Sequence, residues 1–141
     1  MELTHCINYL LTTAQRRVFQ AMSARLEPYD VTPVQYGVLY YLWETDIHTP
    51  REIADRLQLE NSTISGVLER MEKKNLIERQ VSKKDRRYIE VVLTDKGASL
   101  KDDVLRTVEQ FNDDVMTVFS PEEQDIWEYP KVCVNLQTDV R

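Results

Sequence analysis

Residues 61–94 read NSTISGVLERMEKKNLIERQVSKKDRRYIEVVLT, and within this stretch the hydrophobic period changes once. Ile64, Val67, Leu68 and Met71 recur at spacings of three and four, the pattern of one buried helix face. After Leu76 the period becomes two. Ile77, Arg79 and Val81, then Ile89, Val91 and Leu93, alternate with mostly polar neighbours and predict two strands. Between the strands lies Ser82-Lys83-Lys84-Asp85-Arg86-Arg87-Tyr88, a hairpin loop crowded with cations.

Working upstream, Thr32-Pro33-Val34-Gln35 and Thr49-Pro50-Arg51-Glu52 each place a hydroxyl at an N-cap, proline at the first helical position and Gln or Glu at the third. Ser120-Pro121-Glu122-Glu123 repeats the signal downstream, and each predicts a helix start closed by a capping box. The first opens a helix over about 33–45 with Val34, Val38, Leu39 and Leu42 inward; the second opens one over about 50–57 with Ile53, Ala54 and Leu57. Asn61-Ser62-Thr63 is a polar cluster suited to capping the next helix, which runs to about Lys74. Two helices joined by a short turn, followed directly by a hairpin, predict a winged helix-turn-helix.

Long helices flank this lobe. Leu3, Ile7, Leu10, Ala14, Val18, Met22 and Leu26 predict one helix over 3–27, ended by Pro28. Thr94 caps a further helix over about 95–118, with Ala98, Leu105, Val108, Phe111, Val115 and Val118 or Phe119 inward. A last helix starts near 121 and is interrupted by Pro130. The expected fold is mainly α with a small β-hairpin wing. It is a single domain over 1–141: a lobe at about 33–94, and helices at about 1–30 and 95–141 available for dimerisation.

The chain has 141 residues, 18 Lys+Arg against 24 Asp+Glu and a net charge of −6. Such a balance, taken whole, argues against nucleic acid. Its distribution argues the reverse. Residues 70–94 carry eight basic and four acidic side chains, whereas 1–69 carry five and nine, and 95–141 five and eleven. The basic residues therefore concentrate on the recognition helix end and the wing. Three glycines exclude Gly-rich phosphate loops, and no apolar run reaches the ~18 residues of a membrane span. No secretory leader is recognisable and there are two cysteines, so a cytoplasmic location is expected.

Asp85-Arg86-Arg87, a short strand, then Leu93-Thr94-Asp95-Lys96-Gly97 is similar to the wing signature of the MarR family of transcriptional regulators. Thr32-Pro33-Val34-Gln35-Tyr36, Glu52-Ile53-Ala54-Asp55-Arg56-Leu57 and Leu68–Ile77 resemble other parts of that family's core, in order, over about residues 5–127. Pro130 departs from the pattern, since the family continues helical there. The resemblance implies a homodimer binding a pseudo-palindromic double-stranded operator, with half-sites about 34–36 Å apart. Regulation by repression, relieved by a small effector, is also implied.

Candidate DNA-binding residues are Ser62, Thr63, Ser65, Gly66 and Arg70 on the recognition helix and Lys83, Lys84, Asp85, Arg86 and Arg87 in the wing. Short hydroxyls can donate to phosphates or base edges, and Gly66 permits close approach to a duplex. Ser62 has a second reading as a plain helix cap. Arg86, Lys83 and Lys84 suit phosphates, giving affinity without sequence information. The resemblance implies that Asp85 braces Arg87 while its guanidinium enters the minor groove, where narrow grooves concentrate negative potential.

Tyr36, Tyr40 and Trp43 fall at i, i+4 and i+7 on one helix face, and with Arg16 and Arg17 form a candidate site for an aromatic acid. The competing reading of such a stripe is core. Some members of the family sense peroxides through a cysteine near the start of the first helix, and Cys6 sits there, giving redox sensing as an alternative. No phenylalanine follows Cys6, however, and Tyr9 is three residues on. His5, Cys6, His48 and Cys133 lack metal-ligand spacing, so no metal or other cofactor is expected. Two histidines outside any catalytic motif make an enzyme a poor reading. A winged helix serving protein–protein contact is the remaining alternative.

Overall fold

Thr32 Oγ1 accepts the Gln35 amide at 3.3 Å while Gln35 Oε1 accepts the Thr32 amide at 3.2 Å, so α2 (Pro33–Glu44) starts with a complete reciprocal cap. The computed structural model describes residues 2–127, and its seven α-helices and two strands follow the expected order, with short 3₁₀ turns at Leu3–His5, Glu27–Tyr29 and Asp125–Trp127. The order begins with a 3₁₀ turn (Leu3–His5), α1 (Ile7–Leu26), α2, α3 (Pro50–Leu57) and α4 (Asn61–Lys73). It continues with β1 (Ile77–Val81), β2 (Ile89–Leu93), α5 (Asp95–Ser99), α6 (Lys101–Met116) and α7 (Pro121–Gln124). A 3₁₀ turn at Asp125–Trp127 follows α7; Pro130 and Cys133 lie outside the described residues.

Ser120 and Glu123 repeat the reciprocal cap at α7. Thr49 does not. Its Oγ1 accepts the Glu52 amide at 3.3 Å and donates to Glu52 Oε2 at 2.7 Å, so one hydroxyl serves as both acceptor and donor. That donated proton holds the Glu52 carboxyl below its ordinary range. The start of α4 also differs from expectation. Glu60 occupies the cap position without a side-chain bond, and Asn61, Ser62 and Thr63 lie inside the first turn. Ser62 is not a cap; its side chain is exposed instead.

The interior of the lobe is built from Val38 and Leu39 of α2, Ile53 and Ala54 of α3, and all four residues of the α4 stripe, Ile64, Val67, Leu68 and Met71. Leu76, Ile77 and Val91 close it from below. Apart from Ala54, each of these side chains, fully buried, contributes roughly 1.5–3 kcal/mol. Asn75, at φ 58°, turns the chain out of α4; it accepts the left-handed conformation as few non-glycine residues do. The Leu76 amide returns to Met71 O at 3.0 Å, a bond characteristic of such helix ends.

The strands pair antiparallel with Ile77 opposite Leu93, Arg79 opposite Val91 and Val81 opposite Ile89. The Val91 amide donates to His48 O at 2.7 Å, and the Arg79 amide to Glu72 Oε1 at 3.0 Å. Thr94 Oγ1 then accepts the Gly97 amide at 3.0 Å and donates to Asn75 O at 2.7 Å, starting α5. Gly97 is required there because a Cβ would collide with the Leu76 carbonyl.

A second, smaller interior holds Leu26, Val104 and Val108, with Met22 and Leu100 against it. Tyr29, Tyr36, Trp43 and Leu100 touch both interiors and join them. Two expected helices are divided. Cys6 has extended backbone and separates the 3₁₀ turn from α1. Leu100 separates α5 from α6, and this break shifts the inward face to Val104, Val108 and Phe111, leaving Ala98 exposed and Leu105 half-buried. The predicted stripe of the first helix is mostly exposed in the single chain: only Leu26 is buried, while Leu3, Ile7, Leu10 and Val18 stand open. Among the described residues no helix is long and apolar enough to cross a membrane.

Candidate nucleic-acid interface

The exposed face of α4 is opposite its buried stripe. It presents Asn61, Ser62, Thr63, Ser65 and Arg70, with Gly66 half-buried among them. Beside it runs a groove of about 740 Å³ between α3, α4 and the hairpin. Asn61 and Ser65 from α4, Arg51 from α3, and Arg79, Arg87 and Tyr88 from the hairpin line its polar and cationic rim. Arg51 and Asn61 were not among the residues singled out from the sequence. The signal for Arg51 was its place just after Thr49-Pro50, at the exposed start of the helix preceding α4. Asn61 was hidden by its resemblance to a cap residue.

Gly66 has a local consequence. A Cβ there would meet Arg70 Nη1 at 3.4 Å, so the guanidinium lies folded over the glycine, one turn back along α4. Arg70 thereby occupies the middle of the helix face rather than its end.

The basic residues of 70–94 divide into paired and unpaired. Lys73 meets Glu69 at 3.2 Å, Lys74 meets Asp30 at 3.2 Å, Arg79 meets Glu72 at 2.8 Å and Arg87 meets Asp85 at 2.8 Å. Arg70, Lys83, Lys84 and Arg86 have no ion-pair partner among the described residues. The groove arginine Arg79 is thus largely neutralised. Its bond to Glu72 pushes the guanidinium pKa up and holds the Glu72 carboxyl below its ordinary range.

At the wing tip, Asp85 Oδ1 accepts the Arg87 amide at 3.0 Å and the Arg87 Nε at 3.1 Å, while Oδ2 accepts Nη2 at 2.8 Å. The carboxylate grips one edge of the guanidinium. Nη1 has no partner among the described residues, and the side chain is 81% exposed. The same bonds hold the Asp85 carboxyl below its ordinary range. This arrangement stiffens an arginine while leaving its outer edge available to an acceptor. The Arg87 guanidinium also stands 5.9 Å from the centre of the Tyr88 ring.

The aromatic stripe of α2 is split by burial. Tyr36 is half-buried and its ring centre lies 6.1 Å from that of the exposed Tyr40. Burial first, then the neighbouring Tyr40, Glu109 and Glu44, push the Tyr36 phenol up, so it stays a neutral donor. Trp43 packs between the two interiors and its indole N–H donates to Gly97 O at 3.1 Å. Arg16 and Arg17 are exposed on α1, and no hydrogen bond or ion pair joins them to this face among the described residues.

The pattern of the MarR family matches residues 31–89, the whole lobe up to the start of β2. The organic hydroperoxide resistance transcriptional regulator of Bacillus subtilis (strain 168) is 32% identical over 102 residues, covering 72% of this chain and 69% of that protein. The chain belongs to the MarR family. Among solved structures, the transcriptional repressor CouR bound to a 23-mer DNA duplex matches with a TM-score of 0.83 at 27% identity, over 95% of each chain. The Staphylococcus aureus MepR–DNA complex matches with a TM-score of 0.78 at 28% identity, over 92% of this chain and 93% of that one. The mainly helical winged fold of this MarR-family chain is therefore that of regulators solved on DNA. Redox sensing through Cys6 is the reading not favoured. The residue sits half-buried between the 3₁₀ turn and α1.

Proposed function

We propose that this MarR-family chain is a sequence-specific DNA-binding transcriptional regulator. It acts as a homodimer, with α4 in the major groove and the hairpin in the adjacent minor groove. The observation that carries this reading is the braced Arg87 at the wing tip, flanked by the unpaired Lys83, Lys84 and Arg86, in a chain of net charge −6. Ser62, Thr63, Ser65, Gly66 and Arg70 face the bases and nearby phosphates; Lys83, Lys84 and Arg86 contact phosphates; Asp85 holds Arg87. To these the groove adds Arg51 and Asn61, the latter able to make a bidentate bond to adenine. The exposed apolar stripe of α1, with α6 and α7, serves the dimer.

Selection of duplexes from a random pool, followed by gel shift across a salt series, tests the reading. A recovered two-fold site and a steep log–log salt slope support it. A flat binding profile across sequences would reject it, as would a monomer in sedimentation at micromolar concentration.

Repression released by a small effector is the regulatory form that we propose. Tyr36, Tyr40 and Trp43 supply an aromatic face, and the neutral Tyr36 phenol a donor for a carboxylate. Arg16 and Arg17 supply the countercharge in the dimer. Calorimetry with a panel of aromatic acids, paired with release of a bound duplex, decides this.

A further inference from the structure

Ser82 is one of two buried polar side chains among the described residues, and it sits where β1 enters the wing loop. Its hydroxyl is fully used. It donates to Glu90 Oε1 at 2.6 Å and accepts the amides of Lys84 at 3.2 Å and Asp85 at 3.3 Å. A hydroxyl has one proton and two lone pairs, so nothing is left over. The residue whose amide it holds, Asp85, is the one that grips Arg87.

Glu90 is itself placed from outside the loop. It lies across from Gln80 in the strand register, half-buried, with Oε1 3.7 Å from His48 Nε2. His48 is fixed against β2 by its own carbonyl, which takes the Val91 amide at 2.7 Å. The loop is closed on its other side by backbone alone: the Ser82 amide donates to Tyr88 O at 2.9 Å and the Tyr88 amide to Asp85 O at 3.1 Å. Two side chains therefore hold the loop backbone: the Ser82 hydroxyl, oriented by Glu90, takes the amides of Lys84 and Asp85, and the Asp85 carboxylate takes the amide of Arg87.

We propose that Glu90 and Ser82 are positioning residues that set the presentation of Arg87 to DNA. The chain of contacts runs from His48 through Glu90, Ser82 and Asp85 to the guanidinium. This rests on the DNA-binding reading above and adds the source of the wing's order. The hydrogen bond to a carboxylate is of the stronger kind, and it keeps two amides of an otherwise exposed loop fixed. Removing it frees Asp85, and Arg87 then pays the ordering entropy when it meets DNA.

The test uses the full chain and a duplex selected by it from a random pool. Ser82→Ala and Glu90→Leu are each expected to weaken that duplex about tenfold, the scale of one lost charge-assisted bond, with Glu90→Gln retaining an acceptor and near-normal affinity. Amide exchange at Lys84 and Asp85 is expected to accelerate in Ser82→Ala while thermal unfolding stays cooperative. In an Arg87→Ala background the same substitutions should cost almost nothing, because their target is gone. If they weaken binding equally in both backgrounds, or if Glu90→Gln fails as Glu90→Leu does, the positioning role is overturned while DNA binding stands. If the wild type selects no duplex, it is the functional reading itself that fails.

Discussion

The indole N–H of Trp43 donates to the carbonyl of Gly97 at 3.1 Å, tying α2 to α5 across the seam between the two interiors. Gly97 is doubly constrained, since its Cα faces the Leu76 carbonyl with no room for a side chain. Gly97→Ala is expected to destabilise by about 1–3 kcal/mol, as overpacking does. Trp43→Phe removes one neutral hydrogen bond and is expected to cost about 1 kcal/mol. Urea unfolding midpoints measure both, with Gly97→Ala predicted to be the more damaging.

Arg87→Ala is expected to reduce affinity for the selected duplex at least roughly tenfold. Its side chain is exposed and contributes nothing to the interior, so the melting temperature should hold. Equal affinity in gel shift would remove Arg87 from the interface.

Lys83→Ala, Lys84→Ala and Arg86→Ala are each expected to lower the salt slope of dimer binding by about 2, one phosphate contact per protomer, with little change in sequence preference. Lys73→Ala and Lys74→Ala should leave the slope nearly unchanged, because those ammonium groups are already matched by Glu69 and Asp30. Fluorescence titrations at several salt concentrations separate the two groups.

Acid unfolding carries a signature of Glu72. Its carboxyl is held below the ordinary 4.5 by the hydrogen bond from Arg79. A depressed carboxyl stabilises the folded chain above 4.5, and that contribution is lost as pH falls through the lower folded value. Glu72→Gln should therefore lower stability at neutral pH and flatten its fall toward about pH 3. An unchanged acid limb in urea unfolding would show that the pair is too hydrated to matter.

Ser62→Ala should melt as the wild type does, within about 0.5 kcal/mol, because Ser62 caps nothing. A loss near 1 kcal/mol, the usual cost of a missing cap, would contradict the observed start of α4.

The lobe was legible because its signals are local. The α4 stripe is uniformly buried and both strands begin and end where the period predicts, at Ile77–Val81 and Ile89–Leu93. The breaks at Cys6 and Leu100 were not, since neither proline nor glycine marks them. At Leu100 packing between the interiors overrides local propensity and rotates the α6 face by choice of Val104 over Leu105. Charge placement was legible as a segment count, but pairing was not. Glu72 reaches Arg79 only after β1 has folded back beside α4, a tertiary fact that no spacing announces. Ser82 gave no signal either, because one buried serine in a basic loop looks like a solvated one until its three bonds are seen.

The two outward amides of the hairpin's central pair, Arg79 and Val91, are both occupied, one by the Glu72 carboxylate and the other by the His48 carbonyl. A lone ribbon of two strands has two bare margins, each a template onto which a neighbour's strand can dock. Here both margins are stoppered at mid-length. The wing can therefore project far enough to meet a duplex, with Val81 and Ile89 open at its end, and still resist zipping onto the wing of another molecule.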